Sequence, residues 1–283
     1  MRGPFIGSDH LAARGLTRGQ LRWNFTLMFP DVYVPKAAKR TLLVRTRAAW
    51  LWSGREGVIA GRAAAALHGA GYVDDGTPIE LIVGRSRSPA GIVTRNERID
   101  ADEIMEIDGM CVTTPARTAV DLARHLPRNH AVRHLDALAH ATDLTSQAAV
   151  ALVDRHPRAR GIRRAGVALD LMDGGAQSPR ETWLRLLYVD AGFPRPATQV
   201  RVSDGWSTAF LDLGWEGPMV SAEYDGDRHQ LDRKRYVHDI GRNELVRQQG
   251  WLDVHVVAEH SPAYVLRRTA DAFARRGHPL RLR

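Results

Sequence analysis

From residue 178 to residue 283 the chain alternates helical spacing with β-branched runs, and the order is α-β-β-β-α-β-α. "SPRETWLRLLYVDAG" sets Trp183, Leu184, Leu187 and Tyr188 at helical intervals. "QVRVS", "AFLDLGW" and "MVSAEYDG" follow as strands. "RKRYVHDIGRNELVRQQG" is a long helix ending at Gly250, "WLDVHVVAE" a fourth strand and "PAYVLRRTADAFARR" a last helix. A chain with this alternation folds as α/β (α+β), with strands and helices sharing each core.

Two further sections precede this one. Residues 1–58 open with "GSDHLAARGLTRGQLRW", a helix, a turn at Gly15 and a second helix for which Thr17 is the cap. "DVYVP" follows as the strand of a wing. Arg18, Gln20 and Arg22 then fall on the first turns of the second helix, where a recognition helix carries its contacts to bases and phosphates. The alternative is two amphipathic helices packed on a neighbour. Residues 40–53 form another helix, carrying Arg45 and Arg47. In residues 59–177, "GRAAAALHG" is a helix of small residues, and "PIELIV" and "GIVTR" are strands. "EIMEIDGMCVTT" is a hairpin turning at Asp108-Gly109. Thr114-Pro115 opens the helix "PARTAVDLARHL", and helices continue to about 172. His68, His125, His130, His134, His140 and His156 are scattered and expected mostly at the surface or at caps. "DGGAQSPRE" is the expected linker to 178–283.

The charge distribution bears on partners. Residues 1–60 hold ten Lys and Arg against three acids, while residues 61–177 hold fourteen against fifteen and 178–283 sixteen against fourteen. The excess of the whole chain, +8, is therefore N-terminal. A local basic excess suits a polyanion, and duplex DNA is the expected partner. Cys111 is the single cysteine, which excludes an internal disulfide framework and fits a reducing cytoplasm. No apolar run approaches the length of a membrane span.

"AEYDGDRHQ", residues 222–230, carries the chemistry that most needs explaining. Glu223 and Asp225 are two apart on a strand and share a face. Asp212 lies between Leu211 and Leu213, and a suitable strand register brings it beside Glu223. Carboxylates converging in this way are costly without a cation. Mg²⁺ (or Mn²⁺) held by Asp212, Glu223 and Asp225 is the expected solution, with His229 as general acid or base. Each residue also has a plainer role. Glu181 stands three residues after Ser178, a capping-box spacing. Asp225-Gly226 can simply end a strand, and Asp239, Arg242 and Asn243 can be a solvated helix face.

Two resemblances add to this reading. "GLTRGQLRW…DVYVP", "GRAAAALHGAG" and "VTTPARTAVDLAR" resemble the AbiEi family of antitoxins over roughly residues 1–170. That resemblance implies an N-terminal winged helix-turn-helix and a mixed α/β middle domain. It also implies DNA binding with transcriptional autoregulation, and a nucleotidyltransferase-like toxin as cognate partner. Glu181, Asp212, "EYDGDRH", "HDIGRNELVRQQGW" and Glu259 resemble the very-short-patch-repair endonucleases. They are more similar still to an uncharacterised bacterial family related to those enzymes. Both belong to the PD-(D/E)XK superfamily, and the resemblance covers 178–283. It implies a restriction-endonuclease-like αβββαβ core and a Mg²⁺-dependent phosphodiesterase. Asp212 would match the central metal-binding aspartate, Glu181 the glutamate of the first helix, His229 a histidine after the third strand and Asp239 the acid of the next helix. Three features depart from the pattern. Asp225 stands where the superfamily has lysine, Leu211 replaces a proline, and the zinc-binding cysteines are absent.

Two functions follow from these readings. One is a DNA-directed nuclease targeted by a winged helix; two strand cuts or a palindromic site would favour a homodimer. The other is an antitoxin-like transcription regulator whose nuclease-like domain is inactive. The regulator needs Arg18, Gln20 and Arg22 but not Asp212 or Glu223.

Overall fold

The computed structural model describes residues 3–84, 87–226 and 233–280, with backbone alone for 233–239. The architecture is mixed α/β, and the chain divides into two compact units, Met1–Gly174 and Gly175–Arg283.

The first unit begins with β1 (Phe5–Ile6), α1 (Gly7–Ala12), α2 (Arg18–Asn24), β2 (Phe25–Phe29) and β3 (Val32–Pro35). The three strands form an antiparallel sheet in the order β1-β3-β2. Gly7 is required where β1 gives way to α1, because a Cβ there would stand 2.5 Å from the Tyr33 ring. Asp31 at the β2–β3 turn accepts from the Ser8 N–H at 3.0 Å, which ties the turn to the start of α1. The wing strand was expected, whereas β1 and β2 were not. "FTLMF" is continuous with an amphipathic helix in sequence, and only the extended backbone at Phe25, φ −127° and ψ 159°, ends that helix.

The unit continues through α3 (Leu42–Trp52), β4 (Val58–Ala60), α4 (Gly61–Leu67), β5 (Ile79–Ile82), β6 (Ile92–Arg95), β7 (Ile104–Ile107) and β8 (Met110–Thr113). It ends with α5 (Pro115–His125), α6 (Arg128–Thr142), α7 (Ser146–Arg155) and α8 (Ile162–Asp170). Its second sheet has the order β6-β5-β4-β8-β7, with β5/β6 and β4/β8 parallel. Asp108 and Gly109 both take positive φ, as a tight hairpin turn demands. Thr114 caps α5, accepting from the Arg117 N–H with Pro115 at the first helical position. One apolar cluster runs from Phe29 and Val32 through Leu42 and Leu51 to Ile59, Ile79 and Val112, so the small sheet, α3 and the larger sheet share a core. Each of its fully buried Leu and Ile side chains contributes about 1.5–3 kcal/mol.

The second unit consists of α9 (Pro179–Asp190), β9 (Ala197–Ser203), β10 (Thr208–Trp215), β11 (Val220–Tyr224), α10 (Arg233–Gln248), β12 (Leu252–Val256) and α11 (Pro262–Arg275). The element order is the one expected from the sequence. Its sheet has the order β12-β11-β10-β9, antiparallel from β9 to β11 and parallel between β11 and β12. Residues of α9 and α11 pack with Leu213, Trp215 and Ala222, whereas Leu245 and Val246 of α10 pack with Val200, Ala209 and Leu211. Leu211 and Leu213 thus belong to two different clusters, and Asp212 lies between them.

Candidate nucleic-acid interface and carboxylate cluster

On α2 the capping box is complete. Thr17 Oγ1 accepts from the Gln20 N–H at 3.2 Å, and Gln20 Oε1 accepts from the Thr17 N–H at 2.9 Å. Gln20, assigned to base contact from the sequence, thereby has a structural task. Leu21 is buried and anchors the helix, leaving Arg18, Arg22 and Trp23 exposed. Arg18 and Arg22 are four residues apart and lie on one helix face. Trp23 is 79% exposed, with the Lys36 Nζ 5.7 Å from its ring centroid. Arg47 is exposed on α3. Arg45 is half-buried, and its Nη1 donates to the carbonyls of Asp75 and Thr77, the latter at 2.8 Å. Two carbonyls claim this nitrogen, so Arg45 is held against its own fold.

In the second unit the β10–β11 register pairs Leu213 with Ala222, and continuing it sets Asp212 opposite Glu223. The Tyr224 N–H donates to Asp212 Oδ2 at 3.2 Å. Burial first, then the charges of Glu181 and Glu223, raise the Asp212 carboxyl to about 7. Ser178 caps α9, and Glu181 is tied to that helix start without completing the capping box. Its N–H donates to Ser178 Oγ at 3.1 Å, and its Oε2 accepts from the Gln177 N–H at 2.8 Å. It also lies close enough to act electrostatically on Asp212.

Glu223 is only 5% exposed, and both its oxygens accept from Arg242 of α10, one at 2.6 Å. Burial raises the Glu223 carboxyl, while Arg242 draws it down. Asp225 lies at the end of β11 and faces a different partner, with its Oδ2 2.8 Å from His255 Nδ1. The other ring nitrogen of His255 is 3.1 Å from Asp253 Oδ2. Asp225 and Asp253 together raise His255 to about 10, so it is an imidazolium at neutral pH. His229 lies outside the described residues, as does the side chain of Asp239.

This arrangement tests the metal expectation. Glu223, Asp225 and His255 present ligand atoms within 4.8 Å of one another. His255 bridges Asp225 and Asp253, and the Glu223 carboxylate accepts from the Arg242 guanidinium. Asp212, Glu223 and Asp225 each have a different donor: the Tyr224 N–H, the Arg242 guanidinium and the His255 ring. Arg242 and His255 supply the positive charge beside these carboxylates. Arg242, Asp253 and His255 were not among the residues expected here. Arg242 had been read as part of a solvated helix face; for Asp253 and His255 the signal was the alternation in "LDVHV", which sets them on one strand face. The β11–β12 pairing then brings them beside Ser221 and Glu223.

His68 and His156 are helix C-caps and His130 and His140 are exposed, as expected, whereas His134 is not. His134 is 4% exposed, and burial lowers it to about 4. His68 Nε2 lies 2.7 Å from the Thr113 carbonyl, and His156 Nε2 lies 2.6 Å from Glu103 Oε1. Their sequence positions gave no cue, because the partners come from elements far away in the chain.

Residues 57–188 match the AbiEi antitoxin C-terminal domain. The match runs from just before β4 into α9, so it supports the antitoxin resemblance and carries nothing about the carboxylates of β10 and β11. The chain is also similar to two uncharacterized proteins of Mycobacterium tuberculosis, one from strain CDC 1551 / Oshkosh and one from strain H37Rv. Each is 29% identical over 177 residues, which is 62% of this chain and 64% of the relative. The chain thus spans a little under two thirds of the length of these relatives. Among the described residues, no helix is long and apolar enough to cross a membrane.

Proposed function

We propose that this chain is a DNA-binding regulator of the antitoxin type, acting in the cytoplasm, with duplex DNA and a nucleotidyltransferase-like toxin as partners. The observation that carries the reading is the match of residues 57–188 to an antitoxin domain. Two features support it. The capped helix α2 holds Arg18, Arg22 and Trp23 free toward solvent, within the segment that carries the positive excess of the chain. In the second unit, the pairing of Glu223 with Arg242 and of Asp225 with His255 favours a binding or scaffolding role over phosphodiester hydrolysis.

The test uses labelled duplex DNA from upstream of the protein's own gene, incubated with the full chain in millimolar Mg²⁺ and then Mn²⁺. The regulator reading expects a retarded band whose DNA is intact after deproteinisation. Cleavage by wild type that Asp212→Asn abolishes would establish the nuclease reading instead. For the toxin, co-expression with a candidate nucleotidyltransferase-like toxin should restore growth, and deleting residues 57–188 should remove that protection.

A further inference from the structure

In the first unit a cleft of about 900 Å³ opens between the end of β6, the C-terminal end of α5 and the loop leading into α8. A second hollow of about 710 Å³ shares Asn96, Glu97, Arg124, Pro157, Ala159 and Arg160 with it, so the two make one trough. Its floor is neutralised internally. Arg124 is 5% exposed and donates to Glu97 at 2.8 Å and to Asp121 at 3.3 Å, while His125 lies 3.1 Å from Glu97. Among the described residues, Glu97 is the only acid lining the trough, and it is already shared by Arg117, Arg124 and His125.

The rim is different. "HPRARGIRR" places Arg158, Arg160 and Arg163 around the opening, all exposed and none paired with a carboxylate among the described residues. The loop that carries them is fixed. Gly161 has φ +81°, and a Cβ there would stand 2.7 Å from the Arg124 carbonyl oxygen. Arg124 Nε donates to the Arg160 carbonyl at 2.9 Å, Arg164 donates to the Arg124 carbonyl, and the Ile162 N–H donates to Ala159 O at 3.1 Å. Three free guanidinium groups therefore stand on a rigid rim above a concave floor. Concave walls concentrate such a field, and guanidinium forks match phosphate oxygens.

We propose that this trough binds a small, multiply phosphorylated ligand of the nucleoside di- or triphosphate kind, at a site separate from the exposed face of α2. Two or three adjacent phosphates would meet Arg158, Arg160 and Arg163 together, which a single carboxylate or sulfate does not. The volume suits a ligand of nucleotide size, and the concavity suits an inserted molecule rather than the convex backbone of a duplex.

The test is thermal unfolding and calorimetry of the full chain with inorganic triphosphate, adenosine triphosphate and, at equal ionic strength, sulfate. At about 1 mM, both triphosphates should raise the melting temperature by about 3 °C or more, and sulfate should not. Arg160→Ala with Arg163→Ala removes only exposed side chains. That variant should melt as wild type does without ligand, lose the triphosphate shift, and bind duplex DNA unchanged. A triphosphate shift no larger than that of sulfate, or one that survives in the variant, overturns the proposal. So does a variant that fails to bind duplex while wild type fails to bind triphosphate, which would make the trough part of a nucleic-acid surface.

Discussion

Arg242 places both terminal nitrogens of its guanidinium on the Glu223 carboxylate, and one of them also donates to the Phe210 carbonyl at 2.6 Å. A side chain from α10 thereby delivers a positive charge to the β10–β11 edge, where the sequence had suggested that a metal would. Arg242→Ala should strand a nearly buried carboxylate and cost about 3 kcal/mol of stability in urea unfolding. Glu223→Gln combined with Arg242→Met should recover most of that loss. A single variant as stable as wild type would mean that the pair carries no weight.

Asp212 gives the cluster a pH signature. Its native carboxyl is raised to about 7 by burial and by the charges of Glu181 and Glu223, against 3.8 for a free aspartate. The native state therefore holds this proton more tightly than the unfolded chain. The stability it contributes is full below about pH 4 and is lost as pH rises toward 7. Asp212→Asn keeps an acceptor for the Tyr224 N–H and should gain on wild type across that window, by up to about 4 kcal/mol at pH 8. Denaturant midpoints at pH 4 and pH 8 measure the difference. A variant less stable than wild type at pH 8 would refute the assignment.

His255 titrates in the opposite sense. Its native value is raised to about 10 by hydrogen bonds to Asp225 and Asp253. The stability it supplies is complete below the unfolded value near 6.5 and disappears as pH climbs toward 10. Nitrogen-15 shifts of its ring at pH 8 should be those of an imidazolium, and His255→Gln should lower the melting temperature at pH 6 more than at pH 10. Neutral-ring shifts at pH 8 would contradict the bridge from His255 to the two carboxylates.

In the first unit, Arg117 is 1% exposed and lies among Glu103, Asp121 and Glu97. Arg117→Met should cost about 3 kcal/mol, because two buried carboxylates, Glu103 and Asp121, each lose a fully buried cationic partner. Equilibrium unfolding of the full chain reads this directly, and a loss under about 1 kcal/mol would show the network to be dispensable.

The order of elements in residues 178–283 was legible because apolar spacing changes cleanly between helix and strand there, and the caps at Thr17, Thr114 and Ser178 were legible from their spacing. "FTLMF" was hidden because it follows a helix with no intervening breaker. The charge partners were hidden for another reason. Arg242 meets Glu223 across 19 residues, and His255 meets Asp225 across 30, so each pairing exists only once the strands are assembled. Acids close together in sequence suggested one site, whereas the fold sends their side chains to separate donors.

Nucleic-acid binding through α2 is tested most directly by fluorescence anisotropy of a labelled duplex at several salt concentrations. Wild type should bind with an affinity that falls steeply with salt. Arg18→Ala with Arg22→Ala should bind more weakly, and its slope of log affinity against log salt should be shallower by up to about 1.8, at roughly 0.9 for each phosphate that the variant no longer neutralises. A double variant with the affinity and slope of wild type, or a wild type that does not bind duplex at low salt, would contradict the account.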